Sequence, residues 1–351
     1  MRVAIETQFA RGTATGLGVY ASSLAAALRA RSDVEVVELR DDSFDLWRFD
    51  RRAYWDQLRV RRLAREAHAD VIHFTGGTLP WRPPHPCVLT LHDLTWLRAA
   101  NRGRAYVRWY FGSLQPRLAR AADAIVVDTH AARTDVADGL GISPDFITVA
   151  GAGVDQRYFT LARKPAQPPF VLTVGTVEER KDLITAVRAI APMDRIRLVC
   201  AGPFTPYADE VRREAARLGA GDRVELLGFV HDDRLLDLYS RAAAFIFPSR
   251  YEGFGLPPLQ ALAAGLPVVS SDIPVLREVL DDGTVYCPPG DARAFSDALA
   301  HVLSGGSALD ERVARGRDRA RTFSWPAVAQ TMVSVYARLT SVAEPGRARS
   351  R

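Results

Sequence analysis

The segment from residue 248 to residue 270 combines a carboxylate, a glycine loop and a helix start, which are three features of an anion-binding site. Gly253 and Gly255 can adopt backbone angles that are closed to other residues, so a ligand can approach the main chain closely. Two prolines follow, as is typical of the first turn of a helix, and the N–H groups that open a helix attract anions. Together with the carboxylate of Glu252, this pattern predicts a pocket for a sugar diphosphate.

Two adjacent cations, Arg180 and Lys181, stand at a second junction between a strand and a helix, downstream of Gly175. Cations are electrostatically disfavoured beside the positive end of a helix, so their position favours a functional interpretation over simple decoration of a helix start. A nucleoside diphosphate gains negative charge as its bond to a sugar breaks, and paired cations stabilise that charge. The pattern predicts a pyrophosphate site.

Three further candidates follow strands of the amino-terminal half. His92 stands at the carboxyl end of an apolar strand, the edge at which doubly wound sheets bind ligands, and its imidazole can donate to a sugar hydroxyl. The alternative is a satisfied interior histidine. His73 ends another strand, which makes it a candidate for the acceptor side. Gly16 lies in a Gly-x-Gly loop that fits a plain turn or a dinucleotide fingerprint, but the acidic residue that would bind the ribose of NAD is missing.

Apolar runs alternate with helical stretches along the chain, which predicts βα units and parallel sheets. The predicted strands are residues 3–5, 34–39, 70–74, 87–91, 124–127, 146–149, 170–174, 196–200, 224–227, 245–247, 268–270 and 284–286. The sequence therefore predicts an α/β fold with two doubly wound domains, the first over residues 1–163 and the second over residues 170–323. The polar, proline-rich residues 164–169 are the predicted linker, and residues 344–351 are a predicted disordered tail.

The composition is that of a soluble globular protein, since 48% of the residues are apolar and 25% are charged. No apolar run approaches the ~20 residues of a membrane span, and the chain opens on a strand without a signal peptide. Three separated cysteines, Cys87, Cys200 and Cys287, indicate a reducing cytoplasm and no metal site. The net charge of +5 suits anionic substrates or a lipid surface and does not by itself indicate nucleic acid.

The glycine loop and its helix resemble the E-x7-E signature of the family 4 retaining glycosyltransferases, which have the GT-B fold. Glu252 matches the first glutamate of the signature, while Gln260 stands where the second is usual. Residues 175–181 resemble the G-T-x-x-x-R-K segment of the same family. The resemblance implies two Rossmann-like domains that face a central cleft, with a last helix over residues 324–343 that crosses back to the first domain.

The resemblance also implies roles for individual residues. The implied catalytic residues are Glu252, His92, Arg180 and Lys181, and the implied donor-binding residues are Gly16, Gly175, Val230, Asp232, Gly253, Phe254, Gly255, Leu256 and Gln260. In the family, the carboxylate and the histidine lie beside the donor sugar, and the second signature position grips the ribose. A glutamine there lacks the charge that strengthens such hydrogen bonds, so we expect weaker ribose binding.

Val230 matches the place where the family holds the nucleobase. A carboxylate of Asp232 or Asp233 can accept from the N1 and N2 hydrogens of guanine, which uracil cannot offer, and the alternative is that both residues cap the following helix. With the G-T-x-x-x-R-K subtype, these carboxylates favour GDP-mannose as the donor.

The implied activity is a retaining, metal-independent transfer of a hexose from a nucleoside-diphosphate sugar to an acceptor hydroxyl, without a cofactor, in bacterial glycolipid, polysaccharide or glycoconjugate synthesis. A UDP-sugar-dependent transferase of the same family is one alternative. A binding protein that has lost catalysis is a second, because Gln260 replaces the glutamate. A Rossmann-type oxidoreductase is a third, suggested by the glycine loop near residue 16.

Two stretches rich in arginine and aromatic residues remain, residues 44–65 and 98–120. Basic amphipathic helices can rest on anionic lipid headgroups, and the alternative is a core face with a solvated opposite face. Family members often act on lipid-linked acceptors. The predicted partners are therefore a nucleotide-sugar donor and a glycan or lipid-linked acceptor, with peripheral contact at the inner membrane surface and no nucleic acid. The predicted location is the cytoplasm or the cytoplasmic face of the membrane.

Overall fold

A computed structural model describes residues 1–11, 16–43, 46, 49–100 and 105–342. The predicted tail, residues 344–351, and residues 12–15 of the first glycine loop lie outside the described residues. The chain divides into two compact units, one made of Met1–Gly153 with Trp325–Arg351 and the other of Val154–Ser324. Each unit carries one six-stranded sheet.

The first unit alternates strands and helices, as the sequence pattern predicts. Its strands are β1 (Arg2–Glu6), β2 (Glu35–Leu39), β3 (Val71–Phe74), β4 (Cys87–Thr90), β5 (Ala124–Val127) and β6 (Ile147–Val149). Its helices are α1 (Gly16–Arg29), α2 (Phe49–Tyr54), α3 (Val60–Glu66), α4 (Thr95–Ala100), α5 (Ala105–Trp109), α6 (Gln115–Ala119) and α7 (His130–Leu140), with π-helical turns at Trp55–Arg59 and Tyr110–Leu114. All neighbouring strands are parallel, in the order β2-β1-β3-β4-β5-β6. Strands β3 and β4 are buried along their whole length, as is usual when helices cover both faces of a parallel sheet.

The second unit repeats this architecture. Its strands are β7 (Phe170–Val174), β8 (Arg197–Ala201), β9 (Val224–Gly228), β10 (Ala244–Phe247), β11 (Val268–Ser271) and β12 (Val285–Cys287). Its helices are α8 (Gln156–Phe159), α9 (Leu183–Ile190), α10 (Tyr207–Arg217), α11 (Asp232–Arg241), α12 (Leu256–Ala263), α13 (Pro274–Leu280), α14 (Ala292–Ser304) and α15 (Ser307–Arg321). The order is β12-β11-β10-β7-β8-β9, so β7 pairs with β8 on one side and β10 on the other. This reversal of strand order is the point at which doubly wound sheets bind ligands.

Helix α16 (Trp325–Val342) belongs to the first unit, although it follows the second in sequence. It packs against α1 and β3, and the Tyr336 hydroxyl lies 2.7 Å from Nδ1 of His73. Residues 164–169, the predicted linker, lie inside the second unit. There the main-chain N–H groups of Lys164 and Ala166 each donate to a carbonyl at the end of α11, at 2.9 Å. The boundary between the units falls earlier, after Gly153.

The structure confirms the predicted fold class of two doubly wound α/β sheets. Each of the twelve predicted strands is present, with both ends within one residue of the prediction. Separate apolar cores support the two sheets, one built around β3, β4 and β5 and the other around β7, β8 and β10. Among the residues that the structure describes, no helix has the length and apolar character that a bilayer span requires.

Candidate functional site

The loops after β7 and β10 meet at the switch point of the second sheet. The main-chain N–H of Arg250 donates to the carbonyl of Arg180 at 2.8 Å, and Nε of Arg250 lies 2.8 Å from the Asp182 carboxylate. Gly175 begins the first loop with φ of +145°, a backbone angle that favours glycine, and the Lys181 side chain folds back over it in ordinary van der Waals contact.

Three predicted catalytic residues come together at this point. Nζ of Lys181 lies 2.5 Å from one carboxylate oxygen of Glu252, and Nη1 of Arg180 lies 3.1 Å from the other. Nη1 of Arg180 also donates to the carbonyl of Tyr251 at 3.0 Å, and its Nε lies 2.8 Å from Glu178. The structure thus places both cations on the carboxylate, 71 and 72 residues away along the chain.

Burial and charge act against each other on Glu252, whose side chain is only 7% exposed. Burial favours the neutral acid, but the charges of Lys181 and Arg180 outweigh it and hold the pKa of Glu252 below its ordinary value. Burial lowers the pKa of Lys181, whose Nζ also lies 4.8 Å above the ring of Phe247. Glu252 is therefore a carboxylate, held in a partly desolvated place where electrostatic interactions are strong.

Gly255 supplies the turn between the carboxylate and helix α12. Its φ is +94°, in the left-handed region, and it occupies the N-cap position without a side chain to cap the helix. Pro257 and Pro258 have no N–H, so the helix start offers fewer donors than its sequence position suggests. The main-chain N–H groups of Phe254, Gly255 and Leu256 make no hydrogen bond within the described part of the chain. Those three groups are the donors that remain for an anion or a sugar.

Gln260 lies on α12 and is 8% exposed. The Tyr239 hydroxyl donates to its side-chain oxygen at 3.2 Å and to the carbonyl of Pro257 at 3.1 Å. Because the side-chain oxygen of Gln260 already accepts from Tyr239, the side-chain N–H groups of Gln260 are the ones that can bind a ligand. A glutamine held in this way donates to a ribose hydroxyl, whereas a glutamate accepts from it.

The predicted nucleobase residues lie between β9 and α11. Val230 is in the connecting loop, and Asp232 is the first residue of α11. The helix is capped at His231 without a side-chain hydrogen bond, so Asp232 does not act as the N-cap. Its exposed carboxylate instead lies 3.1 Å from Nη2 of Arg157, with one oxygen in that ion pair.

His92 and Gly16 lie in the first unit. His92 follows β4, and its Nδ1 lies 2.6 Å from Oδ2 of Asp128, which follows the adjacent strand β5. Asp128 is a residue that the sequence reasoning missed, because no local pattern links positions 36 residues apart. Gly16 opens helix α1, and a Cβ there would meet nothing within 4 Å. The structure shows no steric need for glycine at that position.

His73 is not available to a ligand, in contrast to the acceptor-side interpretation. It is fully buried at the end of β3, and its two ring nitrogens lie 2.7 Å from the hydroxyls of Tyr336 and Thr90. Burial lowers the pKa of His73 to about 3, so the ring is neutral. It is a satisfied interior histidine.

One group of side chains in the described part of the chain has the spacing of metal ligands. His85, Cys87 and Asp123 place their ligand atoms within 4.8 Å of one another at the amino ends of β4 and β5. Burial raises the pKa of the Cys87 thiol to about 12, so it is not a thiolate at neutral pH. Asp123 accepts from the main-chain N–H of Cys87 at 2.9 Å, which gives this carboxylate a structural role.

Comparison with known proteins identifies the protein family to which the chain belongs. The model for "Glycosyl transferases group 1" matches residues 156–320, and the model for "Glycosyltransferase Family 4" matches residues 14–158. Among solved structures, HepE of Anabaena in complex with UDP-glucose superposes with a TM-score of 0.73 at 16% identity, over 97% of this chain and 100% of that one. At that identity the likeness concerns the fold alone.

Two relatives are closer in sequence. O-antigen chain mannosyltransferase B of Escherichia coli is 34% identical over 173 residues, which are 48% of this chain and 45% of that protein. This chain therefore spans less than half the length of that relative. A D-inositol 3-phosphate glycosyltransferase of Xylanimonas cellulosilytica is 30% identical over 313 residues, which are 81% of this chain and 75% of the relative. The chain belongs to family 4 of the glycosyltransferases, has the GT-B fold, and is similar to the mannosyltransferases of that family.

Proposed function

We propose that this protein is a retaining glycosyltransferase that moves a hexose to an acceptor hydroxyl of a glycan or a lipid-linked glycan, with GDP-mannose as the preferred donor. One observation carries the proposal: Lys181 and Arg180 converge on the buried carboxylate of Glu252 at the switch point of a doubly wound sheet. This arrangement supplies an acceptor for sugar hydroxyls and positive charge for a diphosphate in one place.

In the proposed reaction the diphosphate of the donor binds beside Arg180 and Lys181. As the bond between the anomeric carbon and the phosphate oxygen breaks, the leaving oxygen gains negative charge, which the two cations stabilise. The acceptor hydroxyl forms the new bond to the anomeric carbon from the same face, and its proton passes to the departing phosphate. No covalent nucleophile is needed. The two side chains supply the positive charge that a metal ion supplies in other transferases.

Glu252 and the glycine loop orient the donor in this proposal. The carboxylate accepts from hydroxyls of the hexose, and the main-chain N–H groups of Phe254, Gly255 and Leu256 are the nearest donors along the chain. Gln260 donates to the ribose through its amide, and Tyr239 holds the amide in place. His92, in the first unit, donates to a substrate hydroxyl.

Separate observations support GDP-mannose and a UDP-sugar as the donor. A mannose donor is supported by the name of the E. coli relative, O-antigen chain mannosyltransferase B, and guanine by the exposed carboxylate of Asp232. The second oxygen of Asp232 remains for the base, because only one pairs with Arg157. The UDP-glucose in the HepE structure supports a UDP-sugar as the alternative donor.

Nucleotide release and product stereochemistry test the proposal together. The protein is incubated with GDP-mannose, UDP-glucose or UDP-N-acetylglucosamine and a panel of mannosides, and the new linkage is assigned from its anomeric NMR coupling. We expect GDP release and an α-mannoside. A β-mannoside would refute retention, and release of UDP alone would refute the guanine donor. Donor binding without any turnover would favour the alternative of an impaired binding protein.

For the acceptor side we propose peripheral contact with an anionic membrane surface, at the cytoplasmic face. Several large apolar side chains of the first unit are exposed, namely Tyr54, Leu58, Trp81, Tyr106 and Trp109. The segments that carry these side chains lie next to one another. The main-chain N–H of Trp81 donates to the side-chain oxygen of Gln57 at 2.7 Å, and the rings of Phe49 and Tyr106 pack with their centroids 4.8 Å apart. Exposed arginines lie on the same segments, at Arg62, Arg65, Arg82 and Arg108. Aromatic and basic side chains together suit the headgroup region of a bilayer.

Vesicle co-sedimentation tests this surface. We expect binding to vesicles that contain phosphatidylglycerol, loss of binding in phosphatidylcholine vesicles, and loss in Leu58→Ser/Trp81→Ser. Phe204→Ser is the matched control, because Phe204 is an exposed aromatic of the second unit. Equal binding by both variants would contradict the proposed surface.

A further inference from the structure

A buried histidine–carboxylate pair stands at the carboxyl edge of the first sheet. His92 follows β4, Asp128 follows β5, and Nδ1 of the ring lies 2.6 Å from Oδ2 of the carboxylate. The Asp128 side chain is 3% exposed and that of His92 is 16% exposed. Nε2 of His92 and Oδ1 of Asp128 are buried atoms without a hydrogen-bond partner in the described part of the chain. Buried polar atoms normally have a partner, so these two indicate a ligand or water at this edge.

We propose that Asp128 is a positioning residue for His92. The carboxylate of Asp128 accepts from Nδ1–H of the ring, so that Nε2–H of the charged ring donates to a hydroxyl oxygen of the hexose substrate. The inference rests on the proposed glycosyl transfer. The hydrogen bond at Nδ1 decides what the other nitrogen can do, because an imidazole that donates from Nδ1 must be protonated to donate from Nε2 as well.

The charged groups around the ring support its protonated form. Burial disfavours the imidazolium, but the hydrogen-bonded carboxylate of Asp128 and the charge of Asp93 outweigh it and raise the pKa of His92. Burial also raises the pKa of Asp128, and the two groups titrate as a pair. The pair keeps its proton to a higher pH than a free histidine does.

Two neighbouring side chains complete the surroundings of the pair. Tyr20, from α1, packs edge-on against the imidazole at 4.5 Å between ring centroids and restricts its rotation. Burial and the Asp128 charge raise the pKa of Tyr20 far above its ordinary value, so it stays neutral. His73, from β3, is neutral as well and hydrogen-bonds elsewhere. The charge of His92 is therefore controlled by the carboxylates.

A second pair in the same unit provides a matched control. Nδ1 of His85 lies 2.5 Å from Oδ2 of Asp123, but this pair stands at the amino ends of β4 and β5. His85 is half exposed, and its carboxylate partner binds the main chain of Cys87. It shares the geometry of the first pair and lies at the opposite edge of the sheet from the one where ligands bind.

Nitrogen-15 NMR of histidine-labelled protein tests the inference without any need for turnover. In the wild type we expect His92 to titrate above its ordinary pKa of 6.5, with Nδ1 protonated throughout, and its Nε2 resonance to shift when the hexose donor is added. Asp128→Asn should lower that pKa below 6.5, whereas Asp123→Asn should leave it unchanged. If Asp128→Asn does not fold, the pKa and the tautomer of His92 in the wild type still show whether Asp128 holds Nδ1–H. A wild-type pKa at or below 6.5, or a ring protonated at Nε2 alone, would overturn the inference.

Transfer rates give the second readout. Because the proposed donor is Nε2–H, the rate should fall as pH rises through the raised pKa, and in Asp128→Asn the fall should begin at lower pH. At neutral pH we expect about a 10- to 100-fold loss, the effect of one charge-assisted hydrogen bond. A uniform loss at every pH would show a merely structural role. A protein that transfers no hexose would refute the proposed function, while the NMR result would still decide the histidine pair.

Discussion

Lys181→Ala removes one of the two cations that converge on Glu252. In the free protein Nζ of Lys181 lies 2.5 Å from the carboxylate, and the lysine side chain is 15% exposed. A charge in so little solvent is weakly screened, so its loss should be felt strongly by a leaving diphosphate. Removing one preorganised donor of this kind costs about 100- to 1,000-fold in kcat. We expect a loss in that range, with a smaller change in KM, because the charge on the leaving oxygen develops in the transition state.

The same substitution should leave the protein folded. Removing one partner of a buried ion pair costs about 3–5 kcal/mol when the other charge is left alone. Glu252 retains Arg180 at 3.1 Å, so the cost here should be smaller. Thermal denaturation measures that cost separately from turnover, which distinguishes a lost catalytic charge from a lost fold.

Steady-state transfer with GDP-mannose is the assay, and the chain offers its own control. Lys164 is the only other lysine and is exposed, so Lys164→Ala should turn over like the wild type. Lys181→Arg keeps the charge and should recover part of the rate. A kcat for Lys181→Ala within about threefold of the wild type would refute the role assigned to this cation.

Three further substitutions have expected outcomes. Glu252→Gln should abolish most transfer. The ionised Glu252, whose pKa is lowered in the folded protein, stabilises the fold above the ordinary pKa of a glutamate and ceases to do so once it is protonated. The difference in unfolding free energy between the wild type and Glu252→Gln should therefore shrink as pH falls. Glu6, which accepts from Nε1 of Trp55 at 2.6 Å, has its pKa raised by burial from 4.5 to about 7. The fold should therefore lose about 3 kcal/mol as pH rises across that interval, and Glu6→Gln should flatten this part of a pH series of denaturation curves. Gln260→Glu should tighten donor binding in a calorimetric titration or leave it unchanged, because Tyr239 can still donate to a carboxylate at this position. A large loss of affinity would contradict the ribose-binding role that the family signature gives to this position.

The strands were predictable because apolar runs in parallel sheets are nearly continuous. Ala124–Val127 is an example, since it was predicted with its observed bounds and is almost wholly buried. The pairing of Glu252 with Arg180 and Lys181 follows from two motifs that each end a strand, once β7 and β10 are known to be neighbours. Local chemistry and the switch-point rule were sufficient for this part of the site.

Long-range contacts set the limit of the sequence reasoning. His73 lies near the end of an apolar strand and His92 follows another, and only the hydroxyls contributed by Thr90 and Tyr336 show that the first is an interior residue. Asp128 could not be predicted, because its partner His92 follows a neighbouring strand and the position of Asp128 matches no local motif. Residues 164–169 have the composition of a linker, but their main-chain bonds to the end of α11 hold them within the second unit. Composition alone cannot reveal such bonds.

A thermal-shift panel tests the central claim most directly. The wild type, Lys181→Ala and Lys164→Ala are each melted with GDP, UDP, ADP, GDP-mannose, UDP-glucose, UDP-N-acetylglucosamine and NAD, since a ligand that binds only the folded state raises Tm with its occupancy. We expect GDP and GDP-mannose to stabilise the wild type and the Lys164 variant. GDP carries the negative charge that the leaving group develops, so GDP should stabilise Lys181→Ala less than it stabilises the wild type. Stabilisation by NAD alone, or equal stabilisation of all three proteins by GDP, would contradict a sugar-nucleotide site at Glu252, Arg180 and Lys181.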